Sequence, residues 1–164
     1  LSLLFLKFAT SKIIGAAVIP HGDFAYDPSL VNYENGSTEL HNASLSVGSW
    51  IIHVMKPDLV FLTTPHGLAL DNDFLIYENQ QESGYALVGE DLHNSSVNLT
   101  KVTLNITSNE NLAVSLTNIL RSKNPANGNN VTGILGFADS NPLPIGWGEI
   151  LPIKYLQNAT LNHN

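Results

Sequence analysis

The chain has 164 residues, of which 43% are hydrophobic and 13% are charged. This length and composition suit one domain with a buried core and exclude a disordered protein. Seven Lys+Arg against fourteen Asp+Glu give a net charge of −7 without a run of either sign, so we expect no nucleic-acid partner. Cysteine is absent, which excludes disulfides and thiol catalysis.

An apolar, strand-like extension, residues 1–12, precedes a single predicted domain, residues 13–164. The extension is too short for a membrane span, which needs about 20 apolar residues, and it is similar to part of a signal-peptide h-region. We expect it to be buried, either as an edge strand of its own sheet or against a neighbouring molecule. The candidate assembly residues are Leu1, Leu3, Leu4, Phe5, Leu6 and Phe8.

The first half of the domain follows a strand, helix, strand order. Residues 13–19 form a short continuous apolar run, which is typical of a strand buried on both faces of a mostly parallel sheet. Residues 45–55 mix i+3 and i+4 apolar spacings and predict an amphipathic helix. Residues 59–64 predict a second core strand, which would complete a right-handed βαβ unit.

The middle of the chain predicts further strands. Residues 74–78 and 85–88 indicate two short strands around a turn at 80–84. Residues 97–106 alternate between apolar and polar side chains, which predicts a strand with one buried face and one exposed face.

The last third of the chain combines a helix with short apolar segments. Ser108 is a candidate cap for a helix whose apolar stripe is Leu112, Leu116, Ile119 and Leu120. Residues 124–130 predict a loop, and residues 133–137 a short buried strand. A Pro/Gly-rich passage, residues 141–148, precedes an apolar segment at 150–156. The sequence does not decide whether this segment is a helix or a strand.

Asparagine is frequent, and many copies stand in the triplet Asn-X-Ser/Thr, the acceptor for N-linked glycans. Chance pairing of nineteen Asn with 24 Ser+Thr would give roughly three such triplets, whereas the chain has seven. We therefore expect an extracellular glycoprotein of the eukaryotic secretory pathway, with sugar on solvent-facing loops. The candidate sites are Asn35, Asn42, Asn94, Asn98, Asn105, Asn130 and Asn158.

The tripeptide Pro-His-Gly occurs twice, around His21 and His66, each time after an apolar run. Ligands of open α/β sheets bind beyond the carboxyl ends of strands, and the following glycine lets other atoms approach the backbone. Two histidines from neighbouring strands could share a metal. The alternative is that these turns only terminate strands and bind no metal.

Three segments together resemble the class III extradiol ring-cleavage dioxygenase B subunit, the LigB-like superfamily. They are residues 13–23 (IIGAAVIPHGD), 56–67 (KPDLVFLTTPHG) and 143–152 (LPIGWGEILP), in the family's order. The resemblance implies an α/β fold with a central, mostly parallel sheet flanked by helices. It also implies non-haem Fe(II) bound by two His and one Glu, with His21 and His66 at the histidine positions.

The sequence departs from this family at two places. The family's ligand glutamate lies in a carboxyl-terminal portion that would follow Asn164, and Trp147 stands where the family has an acid/base histidine. Asp23, Glu90 or Glu149 could supply the carboxylate, although an acid in the first turn of a helix, as at Glu149, is ordinarily structural.

Two hypotheses on function follow. The first is an extracellular, N-glycosylated LigB-like domain without catalysis, truncated relative to the family, that associates with itself as a structural subunit, for example of a filament. The second is an Fe(II)-dependent extradiol dioxygenase, or a fragment of one, that cleaves catechol-type aromatics. A binding module for a small aromatic ligand is a third possibility.

Overall fold

The computed structural model describes residues 12–34, 36–68, 70–90, 98–123, 130–136 and 141–161, which include both helices and strands. The mixed α/β class expected from the sequence is confirmed. The helices are α1 (Asp23–Tyr26), α2 (Ser37–Ser49), α3 (Glu110–Lys123) and α4 (Trp147–Leu161). The strands are β1 (Asp73–Tyr77), β2 (Gln81–Val88), β3 (Thr100–Thr107), β4 (Asn130–Ile134) and β5 (Leu143–Ile145).

The strands form two small sheets rather than the single central sheet that the sequence predicts. β1 and β4 pair in parallel, with Asp73 opposite Asn130 and Tyr77 opposite Ile134. β2 is the middle strand of the second sheet, antiparallel to β3 and parallel to β5. The sequence predicts mostly parallel pairing. The pairs β1–β4 and β2–β5 are parallel as predicted, whereas the pair β2–β3 is antiparallel.

The two segments predicted as core strands, residues 13–19 and 59–64, are not paired with any strand that the structure describes. Their side chains are mostly exposed, whereas a strand of a parallel sheet is buried on both faces. The predicted βαβ unit is therefore wrong for the described part of the chain. A strand is stabilised by pairing and burial, and apolar sequence alone supplies neither.

The predicted helix at 45–55 is helical but begins earlier. Gly36, in the left-handed region at φ 71°, precedes α2, and the π-helix Trp50–Met55 continues it. The helical run ends where Lys56 adopts φ 48° just before Pro57, a residue that disfavours helix in the position before it. In α3, Asn109 rather than Ser108 is the cap, since its Oδ1 accepts from the Leu112 amide at 3.1 Å.

The turn predicted at residues 80–84 is wrong, because β2 runs straight through most of it. Its backbone pairs with β3 on one side and with β5 on the other. Gly84 makes this possible, since a Cβ at this position would collide with the Ile145 carbonyl oxygen. Glycine is common in turns, but Gly84 instead allows β2 and β5 to approach each other closely.

The main core lies between the three-stranded sheet and α4. Its buried members are Ala86, Val88, Val102, Leu104, Ile145, Ile150 and Leu151. The predicted alternation in β3 is confirmed at Val102 and Leu104, which point inward, with Lys101, Thr103 and Asn105 exposed between and beside them. Full burial of one such Leu or Ile side chain contributes about 1.5–3 kcal/mol.

The apolar segment at 150–156, whose type the sequence leaves open, is the middle of α4. This helix packs against α2, where Gly48 lies directly on the backbone of Tyr155. The Tyr155 hydroxyl donates to the Ala25 carbonyl at 2.7 Å and ties α4 to α1. None of the helices in the described residues has the length and apolar content needed to cross a bilayer.

Candidate functional site

The structure brings together three residues that the sequence singles out. His21 immediately precedes Gly22 and α1, His66 lies in the turn after residues 59–64, and Trp147 is the first residue of α4. The ring centroids of His21 and His66 are 4.5 Å apart, and the Trp147 ring lies 4.7 Å from His21 and 4.5 Å from His66. We call these three residues the His–Trp cluster.

A chain of hydrogen bonds joins Leu68, just after His66, to Tyr77 and to Glu149, just after Trp147. The Leu68 amide donates to the Tyr77 hydroxyl at 2.7 Å, and this hydroxyl donates to Oε1 of Glu149 at 2.7 Å. Oε2 of Glu149 accepts from the Gly146 amide at 3.1 Å. The chain therefore links the turn that carries His66 to the helix start that carries Trp147.

The burial of Glu149 and the pKa of Tyr77 both favour a structural role for these hydrogen bonds. Glu149 is only 5% exposed, so its carboxylate depends on protein donors rather than on water. The pKa of the Tyr77 hydroxyl is raised, first by burial and then by its hydrogen bond to the Glu149 carboxylate. Tyr77 therefore stays protonated and remains a donor to Glu149.

Two glycines beside the cluster leave no room for a side chain. A Cβ at Gly67 would lie 2.5 Å from both Oε1 of Glu149 and the hydroxyl of Tyr77. A Cβ at Gly148 would lie 2.7 Å from Cβ of His66. The glycine of the second Pro-His-Gly triplet and the glycine after Trp147 thus permit the close packing of the cluster.

The turn that carries His21 is fixed by a different carboxylate. Asp23, the buried first residue of α1, accepts from the Gly89 amide at 2.6 Å through Oδ2, which ties α1 to the end of β2. Gly89 itself adopts φ 103°, a conformation that favours glycine. Nδ1 of His21 is buried and has no hydrogen-bond partner among the described residues.

The cluster offers two imidazoles to a metal but does not complete the three-ligand set that the resemblance implies. No group of three His, Cys, Asp or Glu side chains is placed to hold a metal within the described ranges. Of the carboxylates considered from the sequence, Asp23 and Glu149 bind backbone amides, and Glu90 is exposed at the end of β2. The described residues do not fit a complete Fe(II) site, and we derive no reaction step through iron.

The other histidines in the described ranges serve packing. Nδ1 of His41 donates to the Ala25 carbonyl, and Nε2 of His53 donates to the Ala159 carbonyl, both at 3.0 Å. These bonds tie the helical run of α2 to α1 and α4. His93 and His163 lie outside the described residues.

The predicted glycan acceptors lie in different environments. Asn42, Asn98, Asn105 and Asn130 are exposed. Asn158, on α4, is partly buried and hydrogen-bonds the side chain of Tyr26. Asn35 and Asn94 lie outside the described residues, as do the candidate assembly residues within 1–8.

Sequence reasoning missed Tyr77 as a member of the site. Nothing local distinguishes it, because it belongs to an ordinary apolar strand and its partner is 72 positions away. The pattern Gly-Trp-Gly-Glu was the one available signal, since glycines on both sides of an aromatic residue indicate close approach by other segments.

A scan against models of known protein families gave no match to this chain, and a search of curated proteins gave none either.

Proposed function

We propose that the chain is a LigB-like domain that is secreted, N-glycosylated and free of ring-cleavage activity, and that it serves as a self-associating structural subunit able to build filaments. Three sets of observations support this proposal. They are the composition of the His–Trp cluster, the exposed glycan acceptors and two unpaired apolar segments.

The unpaired segments, residues 13–19 and 59–64, carry the proposal. Ile13 is 89% exposed, Val18 96% and Phe61 64%. Neither segment forms a helix, and neither pairs with a strand in the described part of the chain. Exposed apolar side chains on segments without strand partners are typical of surfaces that bind another chain.

The occupant that we propose is the amino-terminal segment, residues 1–8, of a second copy. Its sequence, LSLLFLKF, is apolar with a single charge, as a strand that adds to an apolar surface should be. A segment of one molecule that binds another surface of the next makes a head-to-tail contact. When such a contact does not close into a ring, it propagates as a fibre.

The His–Trp cluster supports the loss of catalysis. An acid/base catalyst must exchange a proton near neutral pH, whereas the indole of Trp147 does not titrate. The two carboxylates that share turns with members of the cluster, Asp23 and Glu149, accept hydrogen bonds from backbone amides. The cluster has the composition of a packed aromatic junction between three segments.

Disulfide trapping tests the proposed contact, because the chain has no cysteine of its own. Chains carrying Leu4→Cys are mixed with chains carrying Phe61→Cys, and Ile119→Cys, exposed on α3, replaces the second partner as the matched control. We expect a disulfide-linked dimer with Phe61→Cys and little with Ile119→Cys. The native protein should form oligomers in light scattering and electron microscopy.

Two results would overturn the proposal. One is a native chain that stays monomeric at high concentration. The other is a double variant, Leu4→Cys with Phe61→Cys, that closes only within one molecule, since the amino-terminal segment would then complete its own domain.

A second candidate function is an Fe(II)-dependent extradiol dioxygenase, favoured by the adjacent imidazoles of His21 and His66 and by the unpartnered Nδ1 of His21. It requires a third metal ligand beyond those that the described residues supply, stoichiometric iron in the native protein and oxygen uptake with simple catechols. His66→Ala should remove the iron, whereas the control His41→Gln, which alters a packing histidine, should retain it. A native protein without iron would exclude this candidate.

A further inference from the structure

The exposed face of the β2–β3 pair places an acceptor asparagine beside an aromatic ring. In the antiparallel register Lys101 lies opposite Leu87, Thr103 opposite Tyr85 and Asn105 opposite Ser83. Residues directly opposite each other share a face of the sheet, and alternate residues along a strand share it too. Tyr85 and Asn105 therefore stand on the same, solvent-facing side.

Tyr85 lies between two diagonal neighbours on β3. Tyr85 is 54% exposed, and Nζ of Lys101 lies over its ring, 4.3 Å from the centroid, so one face of the ring is covered by the ammonium group. In the register, Lys101 is the diagonal neighbour of Tyr85 on one side and Asn105 is its diagonal neighbour on the other. The ring face opposite Lys101 is the one free to take a group attached to Asn105.

Asn105 begins the triplet Asn105-Ile106-Thr107, and both Asn105 and Thr107 are exposed. Diagonal neighbours have Cβ atoms about 7–8 Å apart or less, within reach of an aromatic ring and a group attached to an asparagine. A pyranose presents a face of C–H groups, which pack on the electron-rich face of an aromatic ring.

We propose that Asn105 carries an N-linked glycan whose first N-acetylglucosamine packs on the face of Tyr85 opposite Lys101. This inference rests on the proposed passage of the chain through the secretory pathway. The sugar would stand on β3, one of the two outer strands of its sheet, the other being β5. Bulk on this outer strand opposes its pairing with a strand of another chain.

The test uses the full chain secreted from a eukaryotic host, with the occupancy of each acceptor measured by mass spectrometry of glycopeptides. Thermal unfolding is then compared for the native chain, Tyr85→Ala, Asn105→Gln and the double variant. We expect Tyr85→Ala to lower the Tm by about 2 °C more when Asn105 is glycosylated than in the Asn105→Gln background. The matched control is Asn98→Gln. It removes an acceptor that precedes β3 and is not paired with any residue of β2.

Nuclear magnetic resonance gives a second, independent readout. The N-acetyl methyl protons of the sugar on Asn105 should be shifted upfield by the Tyr85 ring and should return to the usual position in Tyr85→Ala. In the Asn98→Gln chain the upfield signal should persist.

The outcomes separate this inference from the proposed function. Glycans at other acceptors with Asn105 unmodified would overturn the inference and leave secretion and self-association standing. Glycosylated Asn105 without thermal coupling or an upfield methyl signal would overturn the packing on Tyr85 alone. A secreted chain without any glycan would overturn both the inference and the glycoprotein part of the proposed function.

Discussion

Tyr77→Phe tests the hydrogen-bonded chain that joins the turn of His66 to the start of α4. The substitution keeps the ring and removes only the hydroxyl, which donates to Oε1 of Glu149 and accepts from the Leu68 amide, each at 2.7 Å. Leu68 is exposed, so water can replace the hydroxyl at its amide. Glu149 is buried, and the loss of a hydrogen bond to a charged group costs about 1.5–3 kcal/mol.

We expect Tyr77→Phe to lower the free energy of unfolding by about 2 kcal/mol, which for a chain of this length lowers the Tm by roughly 4–8 °C. Urea unfolding measures this loss, and Tyr33→Phe, at an exposed tyrosine, is the matched control. A double-mutant cycle with Glu149→Gln isolates the pair, and we expect a coupling of about 1 kcal/mol.

Fluorescence reports whether the cluster itself moves. The chain has two tryptophans, so a Trp50→Phe background with selective excitation of tryptophan leaves Trp147 as the only tryptophan that emits. The indole of Trp147 contacts His66, and the hydrogen bond from Tyr77 to Glu149 helps to hold the two residues in place. Tyr77→Phe should therefore alter the emission of Trp147. A loss below about 0.5 kcal/mol together with unchanged emission would refute this account of how the cluster is held.

Three further predictions concern buried groups near the cluster. Gly148→Ala places a methyl group 2.7 Å from Cβ of His66 and should cost about 1–3 kcal/mol in urea unfolding; an unchanged midpoint would contradict the packing. Asp23→Ala removes the acceptor of the Gly89 amide and should cost about 1–3 kcal/mol, whereas Asp23→Asn, which keeps an acceptor oxygen, should cost less; equal losses would contradict the hydrogen bond. Burial raises the pKa of Glu82 above its ordinary value of 4.5, so the stability that this group contributes is full below that value and is lost as pH rises through the raised pKa. The stability of the native chain relative to Glu82→Gln should therefore fall as pH rises from 4 to 7, and a flat difference in chemical denaturation would show that this carboxyl does not titrate as described.

Local patterns predicted most element types correctly. The alternation of Val102 and Leu104 with polar residues identified β3 and its buried face. The stripe in residues 112–120 identified α3, although Leu112 and Ile119 on that stripe are exposed in the described structure. Periodicity reflects local geometry, so it identifies the element; which face is buried depends on what packs against it.

Sequence patterns gave wrong predictions where the pairing of strands decides the secondary structure. Residues 13–19 and 59–64 have the composition of core strands, yet no described strand pairs with them. Gly84 reads as a turn signal, yet β2 continues through it because β3 and β5 bind its two edges. Whether a segment finds a strand partner elsewhere in the chain, as β2 does and residues 13–19 and 59–64 do not among the described residues, leaves no trace in a short window of sequence.

The sequence by itself determined the α/β class, the lack of cysteine in these 164 residues, the positions of the Asn-X-Ser/Thr triplets and the choice of His21, His66 and Trp147 as residues to follow. Only the tertiary structure decided that these three rings meet, that Tyr77 and Glu149 join the turn of His66 to the start of α4, and that Tyr85 is a diagonal neighbour of Asn105. The physical reason is that such contacts form between elements far apart in the chain, where sheet register, helix packing and close approach at glycines set the distances.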